Sequence, residues 1–328
     1  MKKIIITGGA GFIGSNLIDS LLKDNPSIQI TCIDNFDSFY GKDIKMRNIK
    51  RHLRNPRFKL IEGDILDIDT IKKLYSAIKN NLDKKIDAIV HLAAKVGVRP
   101  SVENPGIYTQ VNIVGTQNML ELARQLQCEK FIFASSSSVY GLNSNFPWKE
   151  EDRLLLPASP YALSKISGEL LGSVYSRLFG IQFIALRLFT VYGPRQRPDL
   201  AIHKFTKLIL QGKPIHLFGN GESLRDYTYI DDIVRGFKAA LNYSSSKYEI
   251  INLGNNKPIK LIELISLLEK VIKKKAIIKK RPNQAGDVPL TFADISKAQK
   301  LLGYLPKNNV KAGLQRFFNW FKKQNIQL

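Results

Sequence analysis

The 328-residue sequence predicts an α/β fold: a doubly wound parallel sheet with a smaller, interleaved C-terminal lobe that binds substrate. Three observations predict it. Short β-branched runs alternate with longer helical patterns through the first half, as parallel strands joined by crossover helices require. A glycine-rich turn, Gly8-Gly9-Ala10-Gly11-Phe12-Ile13-Gly14, directly follows the first of those runs. After about residue 190 the pattern breaks into short segments punctuated by Gly193, Pro194, Pro198, Gly212, Pro214, Gly219 and Gly221, the composition of a loop-rich lobe.

Taken in order, residues 3–7 read as a strand and 11–23 as the helix that follows the turn. Residues 28–33, 58–62 and 87–92 are the next three apolar strand runs, with helical spacing over 70–80 between the last two. A long helix over 108–127 leads to a buried strand at 130–135. Another long helix, 160–179, leads to a strand at 183–188. Residues 230–241 and 249–252 form one more helix and strand that rejoin the first sheet, and 261–273 and 311–324 are helical. The division expected is therefore a cofactor domain of residues 1–189 with 226–253, and a second lobe of 190–225 with 254–328. The cleft between them is the default place for a substrate.

Composition narrows the function. At 44% hydrophobic and 24% charged, this is an ordinary globular chain. No stretch approaches the ~18 to 20 apolar residues of a membrane span. The opening Met1-Lys2-Lys3 and its apolar run begin like a signal peptide, but Gly8 and Gly9 end the run too early. Cys32 and Cys128 are the only cysteines, so a disulfide framework is not expected and a cytoplasmic setting is. The formal charge of +22 favours anionic partners, yet the lysines lie in short scattered runs such as 273–275 and 322–323. They read as solvated faces. No aromatic RNA-binding signature or metal-finger spacing accompanies them, so neither a nucleic-acid partner nor a metal is expected.

Glycine is needed where a chain turns tightly and where backbone must approach a pyrophosphate, which then sits on free amides at the positive end of a helix. Gly8, Gly11 and Gly14, with Phe12 and Ile13 opening the helix, stand in that strand-turn-helix context. The first half therefore reads as a Rossmann domain. Asp34 ends the second strand run, where a carboxylate accepts from the adenosine ribose hydroxyls and repels a 2′-phosphate, favouring NAD over NADP. Asp64, followed by Ile65 after the third run, is placed to reach the adenine.

Tyr161 and Lys165 stand four apart on one helix face. A phenol, with a reference pKa of ~10, is a poor base unless cations stabilise its anion. A nearby ammonium and an oxidised nicotinamide are expected to do so, letting the tyrosine take a sugar hydroxyl proton while the carbon loses hydride. Ser135-Ser136-Ser137-Ser138 ends the fifth strand run, at the edge where open α/β sheets bind ligands. His91, at another buried strand end, reads as a packed histidine rather than a base.

Several motifs in order resemble the extended short-chain dehydrogenase/reductases that act on nucleotide sugars. They are Thr7 to Gly14, His91-Leu92-Ala93-Ala94, Ser135 to Gly141, Tyr161-Ala162-Leu163-Ser164-Lys165 and Arg225 to Asp232. The resemblance spans nearly the whole chain. It implies NAD held partly by Leu92, Ala93 and Ala94, a UDP-sugar in the second lobe, and a homodimer through the two long helices. It makes Ser136 the catalytic hydroxyl, Arg225 the diphosphate ligand and Asp287 the uridine ribose ligand.

Family dehydratases carry Asp-Glu where this chain has Ser137 and Ser138, and decarboxylases carry Glu in the second place. Water elimination needs such an acid, so an epimerase is implied. Thr190, with Arg197-Pro198-Asp199 after it, is similar to the UDP-glucuronate 4-epimerases, as are residues 91–99 and 284–289. The β-keto acid formed by oxidising a uronate at C4 loses carbon dioxide unless its carboxylate is held. Thr190, Ser137, Ser138 and Arg197 are candidate donors for that purpose. Arg197 facing the nucleotide is the other reading of that side chain. Arg195-Gln196 occurs in N-acetylhexosamine epimerases and keeps a UDP-N-acetylglucosamine or UDP-glucose 4-epimerase open. A non-catalytic NAD-binding protein is the alternative of another class.

Overall fold

A computed structural model describes residues 2–79, 85–152, 155–282 and 288–324. Its strands are β1 (Lys3–Thr7), β2 (Gln29–Asp34), β3 (Phe58–Glu62), β4 (Ala88–His91), β5 (Lys130–Ser136), β6 (Gln182–Leu188), β7 (Thr190–Tyr192), β8 (Pro214–Phe218), β9 (Leu224–Tyr229), β10 (Tyr248–Leu253), β11 (Pro258–Lys260) and β12 (Ile277–Arg281). The helices are α1 (Phe12–Asp24), α2 (Lys42–Ile49), α3 (Ile68–Lys79), α4 (Val98–Glu103), α5 (Pro105–Tyr108), α6 (Gly115–Gln125), α7 (Pro160–Phe179), α8 (Ala201–Gln211), α9 (Ile230–Asn242), α10 (Leu261–Ile272), α11 (Ser296–Leu302) and α12 (Val310–Lys323).

Seven strands form one sheet in the order β10-β6-β5-β4-β1-β2-β3, all parallel. The chain runs outward from β1 to β3, then returns to β4 on the other side of β1 and runs out to β10. That reversal opens a crevice at the C-terminal ends of β1 and β4, where a ligand fits. β1, β5 and β6 are buried along their whole length because helices cover both faces. On one face Met119, Leu120 and Ala123 of α6 and Tyr175 of α7 pack on Ile5, Phe131, Phe133 and Phe183. On the other, Leu17, Ile18 and Leu21 of α1 and Ile233, Phe237 and Ala240 of α9 join a core that continues into the second lobe.

The second lobe is not chiefly loop. It holds a three-stranded sheet, β11-β9-β7, a two-stranded sheet, β12-β8, and α8 packed against α10. The sequence signals hid α8. Ile202, Phe205 and Ile209 form a buried helical stripe, and Gly212 (φ +66°) ends the helix rather than filling a loop. The helix expected over 108–127 starts earlier, at Pro105, and contains a π turn, Thr109–Val114. β10 pairs with β6 and rejoins the first sheet as the sequence suggested. Among the described residues no helix is long and apolar enough to cross a membrane, and no cluster of His, Cys, Asp and Glu is arranged to hold a metal.

Candidate active site

The glycine turn is shaped by contacts that leave no room for a side chain. Gly8 sits at φ +67°, and a Cβ there would lie 2.8 Å from the Ala93 amide nitrogen. A Cβ on Gly14 would lie 2.6 Å from the Gly8 carbonyl oxygen, so the start of α1 rests directly on the turn. A Cβ on Gly11 would lie 3.1 Å from the same oxygen. The cleft is about 570 Å³ and is lined by Gly8, Gly11, Phe12, Ile13 and Gly14, by Asp34, Asp64 and Ile65, and by Leu92, Ala93 and Ala94. Such a backbone cradle at a helix N-terminus fits a dinucleotide's pyrophosphate.

Asp34 is buried, and its carboxylate accepts from the amides of Ala10 (3.0 Å) and Phe36 (2.9 Å). Burial pushes its pKa up, opposed by Lys45, whose ammonium lies 4.0 Å away, and by those two amides. Asp64 accepts from the Asn35 side-chain amide at 2.8 Å and from the Leu66 amide, which ties the loops after β2 and β3 together.

The candidate reactive residues meet in the same cleft, lined by Ser135 to Ser138, Tyr161, Lys165, Thr190 and Arg197. α7 begins at Ser159, whose hydroxyl accepts from the Ala162 amide, with Pro160 at the first helical position. That cap sets Tyr161 in the first turn, facing Ser136 at the end of β5. Lys165, one turn on, is buried and donates to the Ala134 carbonyl at 2.8 Å. Burial lowers its pKa to about 8, with Glu169 opposing the shift.

One expectation is corrected here. In the protein alone the Tyr161 pKa is raised, not lowered, because burial outweighs its hydrogen bond with Ser136 and the charge of Arg197. Lys165 directs its ammonium to Ala134, 5.9 Å from the Tyr161 ring centre, and does not offset the burial.

The four serines divide their tasks. Ser135 turns into the core and donates to Glu169 at 2.5 Å. Ser136 faces Tyr161, and Ser137 and Ser138 line the open space beyond. His91 is buried between Thr7 (2.8 Å) and Thr116 (3.0 Å). Thr116 commits its proton to the Asn112 carbonyl and must accept from Nε2, while Thr7 donates to Nδ1. The ring is therefore neutral, and burial lowers its pKa to about 3. It is a packed histidine.

On the sugar side, Arg197 makes a two-point ion pair with Asp199 (3.0 and 2.9 Å) and lies over the Phe39 ring. Arg195 points away from the cleft to Asp19 on α1 (2.5 Å), and the Gln196 side chain is buried against the Val191 carbonyl. Arg225 donates to the Leu224 carbonyl and does not line the cleft. Its neighbour Asp226 is no surface partner for it, being buried and accepting from the amides of Asn255, Asn256 and Ala293. Asp287 and most of the 284–289 motif lie outside the described residues.

Sequence reasoning missed the support beneath the candidate pair Tyr161 and Lys165. Glu169 continues the Tyr161–Lys165 spacing by one more turn and forms a fully buried ion pair with Arg187 of β6, at 2.9 and 2.8 Å. The signal was present: an arginine inside the otherwise apolar run Phe183 to Leu188, and a glutamate on a buried helix face. Asn112 was missed too. It brackets the Lys95 backbone and donates to Ser164, but no short motif marks it.

A family model described as GDP-mannose 4,6 dehydratase matches residues 5–317. The chain belongs to that family, within the extended short-chain dehydrogenase/reductases. This family member is 45% identical over 320 residues to an uncharacterized protein of Methanocaldococcus jannaschii, covering 98% of this chain and 96% of the other. It is 41% identical over 329 residues to a UDP-glucuronate 4-epimerase of Thermodesulfobacterium geofontis, covering 100% and 98%. The crystal structure of UDP-glucuronic acid 4-epimerase from Bacillus cereus, in complex with UDP-glucuronic acid and NAD, superposes with a TM-score of 0.90. Its identity is 41%, and the match covers 98% of this chain and 99% of that one.

Proposed function

We propose that this reductase-family chain is an NAD-dependent 4-epimerase of a UDP-sugar, interconverting UDP-glucuronate and UDP-galacturonate. The observation that carries the reading is the meeting of Tyr161, Ser136 and Lys165 in one cleft with the glycine cradle, on a wall where Ser137, Ser138 and Thr190 offer hydroxyls and no acid. The epimerases of T. geofontis and B. cereus, similar along the whole chain, support it.

Gly8, Gly11 and Gly14 with the first turn of α1 hold the pyrophosphate, and Asp34 holds the adenosine ribose. Ile65, with Asp64, covers the adenine, and Leu92 to Ala94 line the floor. Bound NAD⁺ supplies reversible acceptance of a hydride. Tyr161 takes the proton from the sugar O4, and Ser136 bridges the same oxygen. Lys165, anchored to Ala134, keeps its positive charge beside the cofactor ribose. The charge of an oxidised nicotinamide would add to that of Arg197 and would pull the Tyr161 pKa down from its buried value. The 4-keto sugar turns within the cleft, and Tyr161 returns the proton as hydride returns to the other face. Net redox is zero. Ser137, Ser138, Thr190 and Arg197 hold the carboxylate so that its bond to the ring cannot align with the C4 carbonyl. The family resemblance assigns the uridine ribose to Asp287 and the diphosphate to Arg225, whose side chain would have to turn from the Leu224 carbonyl to reach it.

A uronate is preferred to a neutral hexose or N-acetylhexosamine because the one feature favouring the latter, Arg195-Gln196, faces away from the cleft. The seven-stranded sheet with residues 1–189 and 226–253 forms the cofactor domain, and 190–225 with 254–328 the sugar lobe. The chain acts as a homodimer. Leu163, Leu170, Val174 and Leu178 make an exposed apolar stripe on α7, which a second copy would cover. Two buried free thiols, Cys32 and Cys128, agree with a cytoplasmic setting.

The test incubates the purified protein separately with UDP-glucuronate, UDP-N-acetylglucosamine and UDP-glucose and identifies products by NMR. UDP-galacturonate from the first is expected. Turnover of only the neutral sugars, or release of carbon dioxide in place of an epimer, would overturn the assignment.

A further inference from the structure

Lys95 and Asp37 form an ion pair (2.6 Å) that belongs to no step above. Lys95 follows β4 by four residues and Asp37 follows β2 by three. In the sheet β4 and β2 lie on opposite sides of β1, the strand that ends in the glycine turn. A bond joining the two loops therefore passes across the C-terminal end of β1, and both residues line the cleft.

Each end is anchored. Asn112 accepts from the Lys95 amide (2.7 Å) and donates to its carbonyl (3.0 Å), while also donating to Ser164 beside Lys165. Asp37 accepts from the Phe39 amide through its other oxygen (3.0 Å), and its carbonyl accepts from Lys45 (2.9 Å). The two side chains are 28% exposed, so solvent screens the pair only in part.

We propose that the Lys95–Asp37 pair is a latch closed over the pyrophosphate cradle, which positions the cofactor and slows its escape between turnovers. This rests on the reading that the cleft holds NAD. A catalyst that restores its own oxidised cofactor every cycle gains by never releasing it, because a cofactor lost in the reduced form leaves an inactive protein. Groups facing the pair are Lys45 from α2 and, beyond it, Asp34 of β2. Lys45 holds the Asp37 backbone and leaves its carboxylate to Lys95.

The experiment loads the full chain with radiolabelled NAD⁺, adds excess unlabelled NAD⁺, and follows the label retained after rapid gel filtration. Lys95→Met and Asp37→Asn should each release label about three- to tenfold faster, the range for a partly screened charge-assisted contact. The double variant should release it no faster than either single one. Lys95→Asp with Asp37→Lys should recover most of the retention, and added salt should speed release from the unaltered protein alone. Unchanged release in both single variants would overturn the latch, as would acceleration by Lys95→Met alone, which would put Lys95 on the cofactor itself. In either case an unaltered protein that keeps NAD and epimerises leaves the function intact. An unaltered protein that binds no NAD overturns both.

Discussion

The two ends of the cleft are built differently. At the cofactor end the contacts are made by backbone: the Gly8–Gly14 turn, two amides on Asp34, and an α1 that rests on the turn without a side chain between them. At the Thr190 end they are made by long side chains with local, partly exposed partners, as with Arg197 (18% exposed) on Asp199 (39% exposed). Glu169–Arg187 shows the opposite extreme of the same ion-pair chemistry, sealed under the reactive helix at 2–3% exposure. Backbone and sealed pairs define a rigid floor; partly exposed pairs leave a wall that can exchange its partner for a ligand anion.

That contrast is open to test. The largest effect is expected where the two ends meet: Tyr161→Phe should cut epimerisation about 10²- to 10⁴-fold while bound NAD, assayed by chromatography, is unchanged. Glu169→Gln leaves Arg187 buried without a counter-charge, and should lower unfolding stability by about 3 to 5 kcal/mol in a denaturant titration. Asp199→Asn breaks the partly exposed counterpart and should cost less, about 1 to 2 kcal/mol, in the same assay. Equal losses would erase the distinction between floor and wall.

Gly14→Ala drives a methyl into the Gly8 carbonyl, and overpacking of about 1 to 3 kcal/mol should weaken NAD binding roughly 10- to 100-fold by calorimetry. Gly41→Ala, with nothing within 4 Å of the new methyl, should change it little. The pH dependence follows from Lys165. Burial holds its pKa near 8 rather than 10.5, so the ammonium is intact below that value and lost above it. kcat/KM should therefore fall as pH rises through about 8, up to tenfold per unit. A modest effect is expected from Thr190→Asn on the wall, which should reduce the preference for a uronate over a hexose by a few-fold in paired initial-rate assays. An unchanged ratio would remove Thr190 from the carboxylate-holding set.

Much of this was legible early because the signals are local. The glycine turn, Asp34, the Tyr161–Lys165 spacing and α7 itself, Pro160–Phe179, depend on residues within a few turns or one strand of each other. The second lobe was harder. Its glycines and prolines suggested loops, while α8 depends on burial against α10 and the core to stabilise a stripe of only Ile202, Phe205 and Ile209. Arg195 illustrates the same limit. The pair Arg195-Gln196 kept an N-acetylhexosamine epimerase open, but φ +69° turns Arg195 to Asp19, a partner 176 positions away.

The amino-acid order by itself determined the parallel sheet, the glycine turn and the one-face spacing of Tyr161 and Lys165, since period, turn chemistry and helical spacing are short-range properties of a chain. Only the tertiary structure decided which serine faces Tyr161 and which faces Glu169, that His91 is neutral, and that burial raises the tyrosine's pKa before any ligand arrives. Those outcomes depend on desolvation and on partners from distant strands, which exist only once the chain has closed around them.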